Sequence, residues 1–249
     1  ALSLNTVYAQ LMLDVGPGQA VSLATRLGMP SSLHPYPSAV LGDNEVHPID
    51  VATAYSTLAA DGVRTNPVLV TSVRDAHGTV VYRDHARHTR AIEADVARTV
   101  NHALEQVVTR GTGIHARIGR PVAGKTGTTE NHADAWFAGS TPSLTAVVWV
   151  GSGTDPYAML PPRTRVKVTG ANWPAQIWAR FASAVLAEVP ITDFPQPSEY
   201  AAAGVLATKP LPRGAARHGG GATLHARACW RSPSPNVREA PNDEPPLGG

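Results

Sequence analysis

A glycine-rich stretch at residues 119–129, with the sequence Gly-Arg-Pro-Val-Ala-Gly-Lys-Thr-Gly-Thr-Thr, limits the possible folds of this chain more than any other segment. It holds one lysine, three threonines and three glycines within eleven residues, and a largely apolar stretch, residues 144–150, follows soon afterwards. Two kinds of functional site fit these residues, a phosphate-binding loop and one side of a serine acyl-transfer site. They require different backbone conformations, so the flanking residues discriminate between them.

The phosphate-binding interpretation rests on residues 119–126, which match the pattern G-x-x-x-x-G-K-[ST] without a mismatch. Such a loop leaves a buried strand and opens a helix whose N-terminal amides face the phosphates. Upstream residues 110–117 are interrupted by glycine and charge, where a strand of Val and Ile would be needed. Downstream, Gly127 and two threonines are poor helix formers. A nucleotide-hydrolysing phosphate-loop protein therefore remains as the weakest alternative.

The second interpretation is an edge strand that begins near Pro121, where the missing N–H of proline does no harm. Alternation along this strand places Lys125 and Gly127 on one face. Thr126 and Thr128 then lie on the opposite face. Glycine lets a substrate backbone approach closely, and a lysine ammonium attracts a carboxylate and lowers the pKa of a neighbouring base.

The Lys-Thr-Gly motif at residues 125–127 resembles that of the transpeptidase domain of bifunctional (class A) penicillin-binding proteins. Further matches are Asp-Ala-Trp-Phe-Ala-Gly at residues 134–139 and Val-Trp-Val-Gly at residues 148–151. These enzymes carry an S-x-x-K motif, a serine/asparagine motif and a K-T-G motif. The resemblance covers residues 1–190. It implies an α+β fold like that of penicillin-binding proteins and serine β-lactamases, with an antiparallel sheet flanked by helices.

Two residues near the start of the chain complete the resemblance. A serine at a helix start is ordinarily interpreted as an N-cap. The downstream lysine motif instead identifies Ser3-Leu4-Asn5 with the family's S-x-N motif. The resemblance then implies that the Ser3 hydroxyl relays a proton to the leaving amine and that the Asn5 amide holds the substrate backbone.

The same resemblance assigns the residues of the Lys-Thr-Gly strand. Lys125 would act electrostatically and join Ser3 and Asn5 as a catalytic residue. Thr126, Gly127 and Thr128 would bind substrate. The two threonine hydroxyls would meet the terminal carboxylate, and the Thr128 N–H would be one donor of the oxyanion hole.

The implied function is the peptidoglycan D,D-transpeptidase activity of a cell-wall synthase. A serine attacks the D-Ala-D-Ala bond of a donor stem peptide, and an acceptor amine resolves the acyl-enzyme. The expected partners are stem peptides, β-lactams and cell-wall synthesis proteins, on the extracytoplasmic face of the bacterial membrane. The family needs no cofactor and no metal for this chemistry.

One departure from the family concerns the nucleophile. Nowhere in this chain does a serine stand three residues before a lysine, so the S-x-x-K motif is absent. We expect the chain to be part of a longer protein that supplies the nucleophile helix, the first strands of the sheet and any membrane anchor, and to be inactive alone. A non-catalytic penicillin-fold binding or scaffold module is the alternative. A serine β-lactamase or carboxypeptidase would share the same motifs.

Composition excludes some partners. Of the 249 residues, 43% are apolar, which is enough to form a hydrophobic core. The net charge of +2 does not indicate a nucleic-acid-binding surface. The histidines at 85 and 88, near Glu93 and Asp95, lack a metal-binding pattern and are interpreted as a polar loop. Cys229 is interpreted as an exposed residue rather than a reactive thiol.

The periodicity of the sequence predicts the remaining architecture. The resemblance assigns residues 1–190 to a partial transpeptidase domain, and the composition predicts that residues 191–249 form a mostly disordered tail. Trp136, Phe137 and Trp149 are expected to pack in the core rather than contact a ligand. Helices are predicted over 3–15, 18–27, 48–62, 92–109 and 173–188. Their apolar faces are predicted to consist of Leu4, Val7, Tyr8 and Leu11 in the first helix, Val96, Val100, Ala103, Leu104 and Val107 in the fourth, and Ile177, Phe181 and Val185 in the last. A loop is predicted over 31–47, a hairpin over 68–83, and strands over 119–129, 134–141 and 144–151.

Overall fold

The computed structural model of this chain describes residues 2–30, 32–153 and 155–198. Its α-helices are α1 (Asn5–Val15), α2 (Pro17–Leu27), α3 (Pro48–Ala59), α4 (Ala94–Arg110) and α5 (Trp173–Val185). Its strands are β1 (Val63–Thr65), β2 (Ser72–Arg74), β3 (Val80–Arg83), β4 (His88–Arg90), β5 (Ala123–Thr128), β6 (Asp134–Ser140) and β7 (Thr145–Gly151). Within these ranges no helix has the length and apolar character needed to cross a membrane.

The central sheet consists of β5, β6 and β7 in that order, all antiparallel. This confirms the three predicted strands and their pairing. In the register, Lys125 lies opposite Ala138 and Gly127 lies opposite Trp136. The predicted alternation therefore holds. Ala138 and Trp136 line a cavity together with residues of α3, so Lys125 and Gly127 share that face of the sheet. Thr126 lies opposite Phe137, whose ring packs against Trp178, so the threonines share the α5 face.

The main core lies between this sheet and α5. Phe137 and Trp178 are fully buried, with their rings in an edge-to-face arrangement at 5.5 Å between centroids. Their close approach depends on Gly124 and Gly139, since a Cβ at either position would come within 3 Å of the Phe137 ring. The Trp178 indole donates to the carbonyl of Ala146.

The inward face of α5 differs from the sequence-based expectation. The stripe Ile177, Phe181 and Val185 has the right spacing, but all three residues are about half exposed. The buried residues of the helix are Pro174, Ala175, Trp178 and Ala182. Two alanines bring the helix backbone close to the sheet and let the large Trp178 side chain fill the core, which explains the choice of face.

The expected inward faces of α1 and α4 also needed correction. On α1, Leu4, Val7 and Leu11 are more than half exposed, and Met12 is the buried residue. On α4, Val96 is exposed, whereas Asn101 is 3% exposed. Asn101 is buried because its side-chain amide donates to the carbonyl of Leu58 at the end of α3, an interaction that apolar periodicity does not reveal.

Other differences between the predicted and observed secondary structure concern short elements. The predicted loop over 31–47 contains a 3-10 helix, Pro37–Leu41. The helix predicted over 48–62 ends at Ala59, and the chain continues directly into β1, which pairs with β4. The predicted hairpin is confirmed as the β2–β3 pair.

The predicted tail is described only in its first part. Phe194 is 3% exposed, and the Ser198 amide donates to the carboxylate of Asp95, so packing continues past Pro190. Residues 199–249, including Cys229, lie outside the described residues. The boundary of the domain at residue 190 therefore stays a prediction.

The buried face of α5 predicts that truncating two aromatic residues of this helix lowers the free energy of unfolding by different amounts. Trp178→Ala removes a fully buried side chain and should lower the free energy of unfolding by about 3–5 kcal/mol. The control Phe181→Ala, one turn further along the same helix and half exposed, should cost about 1 kcal/mol. Urea unfolding of both variants measures the difference, and equal costs would contradict this orientation of α5.

Candidate active site

Lys125, in the middle of β5, meets Ser3 at the start of the chain. Its Nζ donates to the Ser3 Oγ at 2.8 Å and to the carbonyl oxygen of Thr126 at 2.8 Å. The two side chains are 122 positions apart in the sequence. Ser3 has a φ of 53°, in the left-handed region that few non-glycine residues adopt.

Ser3 is therefore held by the lysine and is not the N-cap of α1. The N-cap of that helix is Leu4, without a side-chain cap, and Asn5 is its first residue. Asn5 is exposed on the same short segment. The structure thus brings Ser3 and Lys125 into contact and leaves Asn5 exposed two positions further along the chain. The catalytic roles of these three residues stay predictions.

The environment of Lys125 changes its acid–base behaviour. Burial lowers the pKa of its ammonium below the ordinary value of 10.5, because a charge loses hydration in the protein. A hydroxyl and a carbonyl oxygen replace part of that hydration. A lysine held in this way gives up its proton more readily than a lysine in water does.

The two threonine hydroxyls on the other face of β5 are each hydrogen-bonded to a separate segment. The Thr126 hydroxyl shares a hydrogen bond of 2.7 Å with the Thr112 hydroxyl, just after α4. The Thr128 hydroxyl accepts from the backbone N–H of Gly170, just before α5, at 3.0 Å. Gly127 lies between them, and a Cβ there would come within 3.2 Å of the Trp136 side chain. Within the described residues, β5 is the edge strand of its sheet.

A cavity of about 510 Å³ opens beside the Lys125 face of the sheet. Its walls are residues 41–48, the start of α3, and the sheet residues Trp136 and Trp149. Tyr55 also lines it, and burial raises the pKa of that phenol above its ordinary range. Residues 125–129 also line the cavity, whereas Thr112 and Gly170 are not among its lining residues.

The expectation that three aromatic residues pack in the core holds for one of them. Phe137 is fully buried, whereas Trp136 and Trp149 line the cavity. The Trp149 indole N–H donates to the Asp134 carboxylate at 2.9 Å. Alternation along β6 carried this information, since neighbours in a strand face opposite sides of the sheet.

Sequence reasoning also missed the hydrogen-bond partners of the site. Thr112 and Gly170 lie 14 and 42 positions from the threonines that they contact. Neither residue belongs to a motif or to an apolar pattern. The glycine-flanked sequence Gly111-Thr112-Gly113 was the one available signal of a tight turn near β5.

The geometry around Lys125 does not fit a phosphate loop. Lys125 and Thr126 lie inside an antiparallel strand, not at the N-terminus of a helix, so their amides cannot form the phosphate cradle. The described residues contain no group of three or more His, Cys, Asp or Glu side chains able to hold a metal. Of the two histidines considered earlier, His88 is hydrogen-bonded to Thr65.

An antiparallel sheet between helices, with Lys-Thr-Gly on its edge strand and a serine against the lysine, defines the class of penicillin-binding acyl-transfer domains. Residues 1–156 match the family model described as the penicillin binding protein transpeptidase domain. The chain belongs to this family, and the resemblance found in its motifs is confirmed.

Individual relatives agree with the family model. Penicillin-binding protein 1B of Escherichia coli is 33% identical in an alignment of length 183, which covers 72% of this chain and 21% of that protein. Penicillin-binding protein 1A of Mycobacterium tuberculosis is 34% identical in an alignment of length 225, which covers 80% of this chain and 27% of that protein. The chain thus spans about a quarter of the length of these relatives.

Solved structures confirm the fold. The penicillin-binding protein PonA1 from Mycobacterium tuberculosis superposes with a TM-score of 0.71 and 33% identity, covering 79% of this chain and 57% of that one. A second structure of PonA1, in complex with penicillin V, gives the same TM-score. The predicted α+β class with an antiparallel sheet flanked by helices is therefore correct.

The lowered pKa of Lys125 predicts a pH-dependent stability. The folded chain binds this proton less tightly than the unfolded chain does, so the free energy of unfolding should rise with pH between the lowered pKa and 10.5. Lys125→Met removes the titrating group. The difference in the free energy of unfolding, wild type minus Lys125→Met, should therefore increase from neutral pH towards pH 10 in urea titrations. A difference that stays constant with pH would contradict the burial of this charge.

Proposed function

We propose that this chain forms the rear part of a peptidoglycan D,D-transpeptidase domain that reacts through a serine acyl-enzyme and binds penicillin. One observation carries the proposal: Lys125 donates to Ser3 on one side of β5, while Thr126 and Thr128 hold fixed hydroxyls on the other. Membership of the penicillin-binding family supports it. The penicillin V complex of the similar PonA1 protein supports β-lactam binding.

Carboxylate recognition follows from the threonine pair and the lysine. The terminal carboxylate of a donor stem peptide, or the carboxylate of a β-lactam, accepts hydrogen bonds from the Thr126 and Thr128 hydroxyls. The Lys125 ammonium adds an attractive field in a partly desolvated place, where electrostatic interactions are stronger than in water. Gly127 has no side chain to block a substrate backbone along the edge strand.

Proton transfer follows from the contact between Ser3 and Lys125. In the proposed reaction a nucleophilic serine attacks the carbonyl of the D-Ala-D-Ala bond and the terminal D-Ala leaves as an amine. The lysine of the S-x-x-K motif takes the proton of the attacking serine. The Ser3 hydroxyl passes a proton to the leaving amine and receives another from Lys125, whose lowered pKa makes the donation easier. Asn5 holds the substrate backbone, and the Thr128 N–H donates to the oxyanion.

The acyl-enzyme is resolved by an acceptor amine. That amine attacks the ester carbon and gives up one proton through Ser3 to Lys125, while the bond between carbon and the serine oxygen breaks. An amide cross-link forms, and the serine oxygen regains its proton from the lysine of the S-x-x-K motif. The S-x-x-K motif that supplies this serine and its lysine is not among the 249 residues. In our proposal, other sequence of the native protein supplies it, and this chain alone is inactive.

The proposed setting is the extracytoplasmic face of the bacterial membrane. Peptidoglycan stem peptides are the substrates there, and cell-wall synthesis proteins are the expected partners.

Labelling with a fluorescent penicillin tests the proposal. The native protein that contains this chain should give a covalent band that prior unlabelled penicillin abolishes. Ser3→Ala should lower the acylation rate constant about 10²-fold or more, because it removes the proton relay. The control Ser143→Ala changes an exposed serine in the β6–β7 turn and should leave the rate unchanged.

The 249-residue chain alone should show no penicillin adduct in an intact-mass spectrum. A stoichiometric adduct would overturn the need for an external nucleophile. A folded native protein without a covalent band would instead favour the non-catalytic penicillin-fold module.

A further inference from the structure

We propose that Thr112 is a positioning residue, which orients the Thr126 hydroxyl so that it donates to the carboxylate of the bound ligand. The two hydroxyl oxygens lie 2.7 Å apart, in side chains that join the end of α4 to β5. Thr112 itself does not contact the ligand and acts through Thr126. This inference rests on the proposed function of the site.

The turn that carries Thr112 is fixed on both sides. The N–H groups of Gly111 and Gly113 both donate to the carbonyl of Val107, at 3.1 and 2.9 Å. A Cβ at Gly113 would lie 3.3 Å from the ring of Phe137, the buried centre of the core. A turn packed this closely holds the Thr112 hydroxyl in place before any ligand arrives.

Hydrogen-bond accounting sets the direction of donation. A threonine hydroxyl has one proton and two acceptor lone pairs. A bound carboxylate only accepts, so the proton of Thr126 must go to it. Thr112 is then the donor to Thr126, giving a chain from the Thr112 hydroxyl to the Thr126 hydroxyl to the carboxylate. Each hydrogen bond in such a chain polarises and strengthens the next.

The neighbouring Thr128 has the same arrangement with a different donor. Its hydroxyl accepts from the Gly170 N–H, which leaves its own proton for the ligand. The Gly170 backbone lies so close to β5 that a Cβ there would clash with backbone atoms of Gly127 and Trp136. Both threonine hydroxyls therefore accept a hydrogen bond from a segment next to β5, and each keeps its own proton to donate to the ligand.

The test measures the second-order rate constant of acylation of the native protein by penicillin and by penicillin methyl ester, which lacks the negative charge. Thr112→Val keeps the side-chain shape but cannot donate. It should lower the rate constant for penicillin about three- to tenfold and leave that for the ester unchanged. Thr112→Ser restores the donor and should restore the preference for the carboxylate. Thr109→Val, which alters an exposed threonine on α4, is the matched control.

The ratio of the rate constant for penicillin to that for the ester does not depend on the fraction of protein that is folded. If Thr112→Val folds poorly, Thr112→Ala provides a second variant. An unchanged ratio in both variants, whether both rate constants fall together or neither falls, overturns the role of Thr112. A wild-type protein that reacts with neither ligand overturns the proposed transpeptidase function, and with it the role of Thr112. The reactivity of the wild-type protein therefore distinguishes a failure of the proposed function from a failure of the role of Thr112 alone.

Discussion

The register between β5 and β6 is the constraint on which the site depends. Because side chains alternate along a strand, a slip by one residue would move Lys125 to the α5 face and both threonines to the α3 face. Packing prevents this slip, since Phe137 can be buried against Trp178 only where Gly124 and Gly139 leave room for its ring. The same core that stabilises the sheet therefore decides which groups face a ligand.

The second feature of the site is a charge held in a partly buried place. Lys125 loses hydration there, and its pKa falls as a result, yet the Ser3 hydroxyl and the Thr126 carbonyl stabilise its ammonium. Desolvation makes the charge costly to keep and, for the same reason, strengthens its field at the ligand. The strained φ of Ser3 fits this picture, because strain is tolerated where a functional contact fixes the backbone.

The sequence alone predicts the sheet and the faces of its edge strand well, because alternation is a local property and needs no knowledge of partners. The inward face of α5 was predicted wrongly because two stripes have helical spacing, and only tertiary packing of Ala175 and Ala182 against the sheet chooses between them. The Ser3–Lys125 contact was accessible through the family motifs and not through periodicity. Thr112 and Gly170 were missed since long-range hydrogen bonds leave no pattern in a single sequence.

The central claim is that Thr126 and Thr128, each hydrogen-bonded to a neighbouring segment, bind the ligand carboxylate while Ser3 and Lys125 act at the amine beside it. A crystal structure of the native protein acylated by penicillin tests this most directly. Our account predicts carboxylate oxygens within about 3 Å of both threonine hydroxyls, with the contact between Thr112 and Thr126 intact. A penicillin whose carboxylate lies instead in the cavity beside Trp136, away from both hydroxyls, would contradict it.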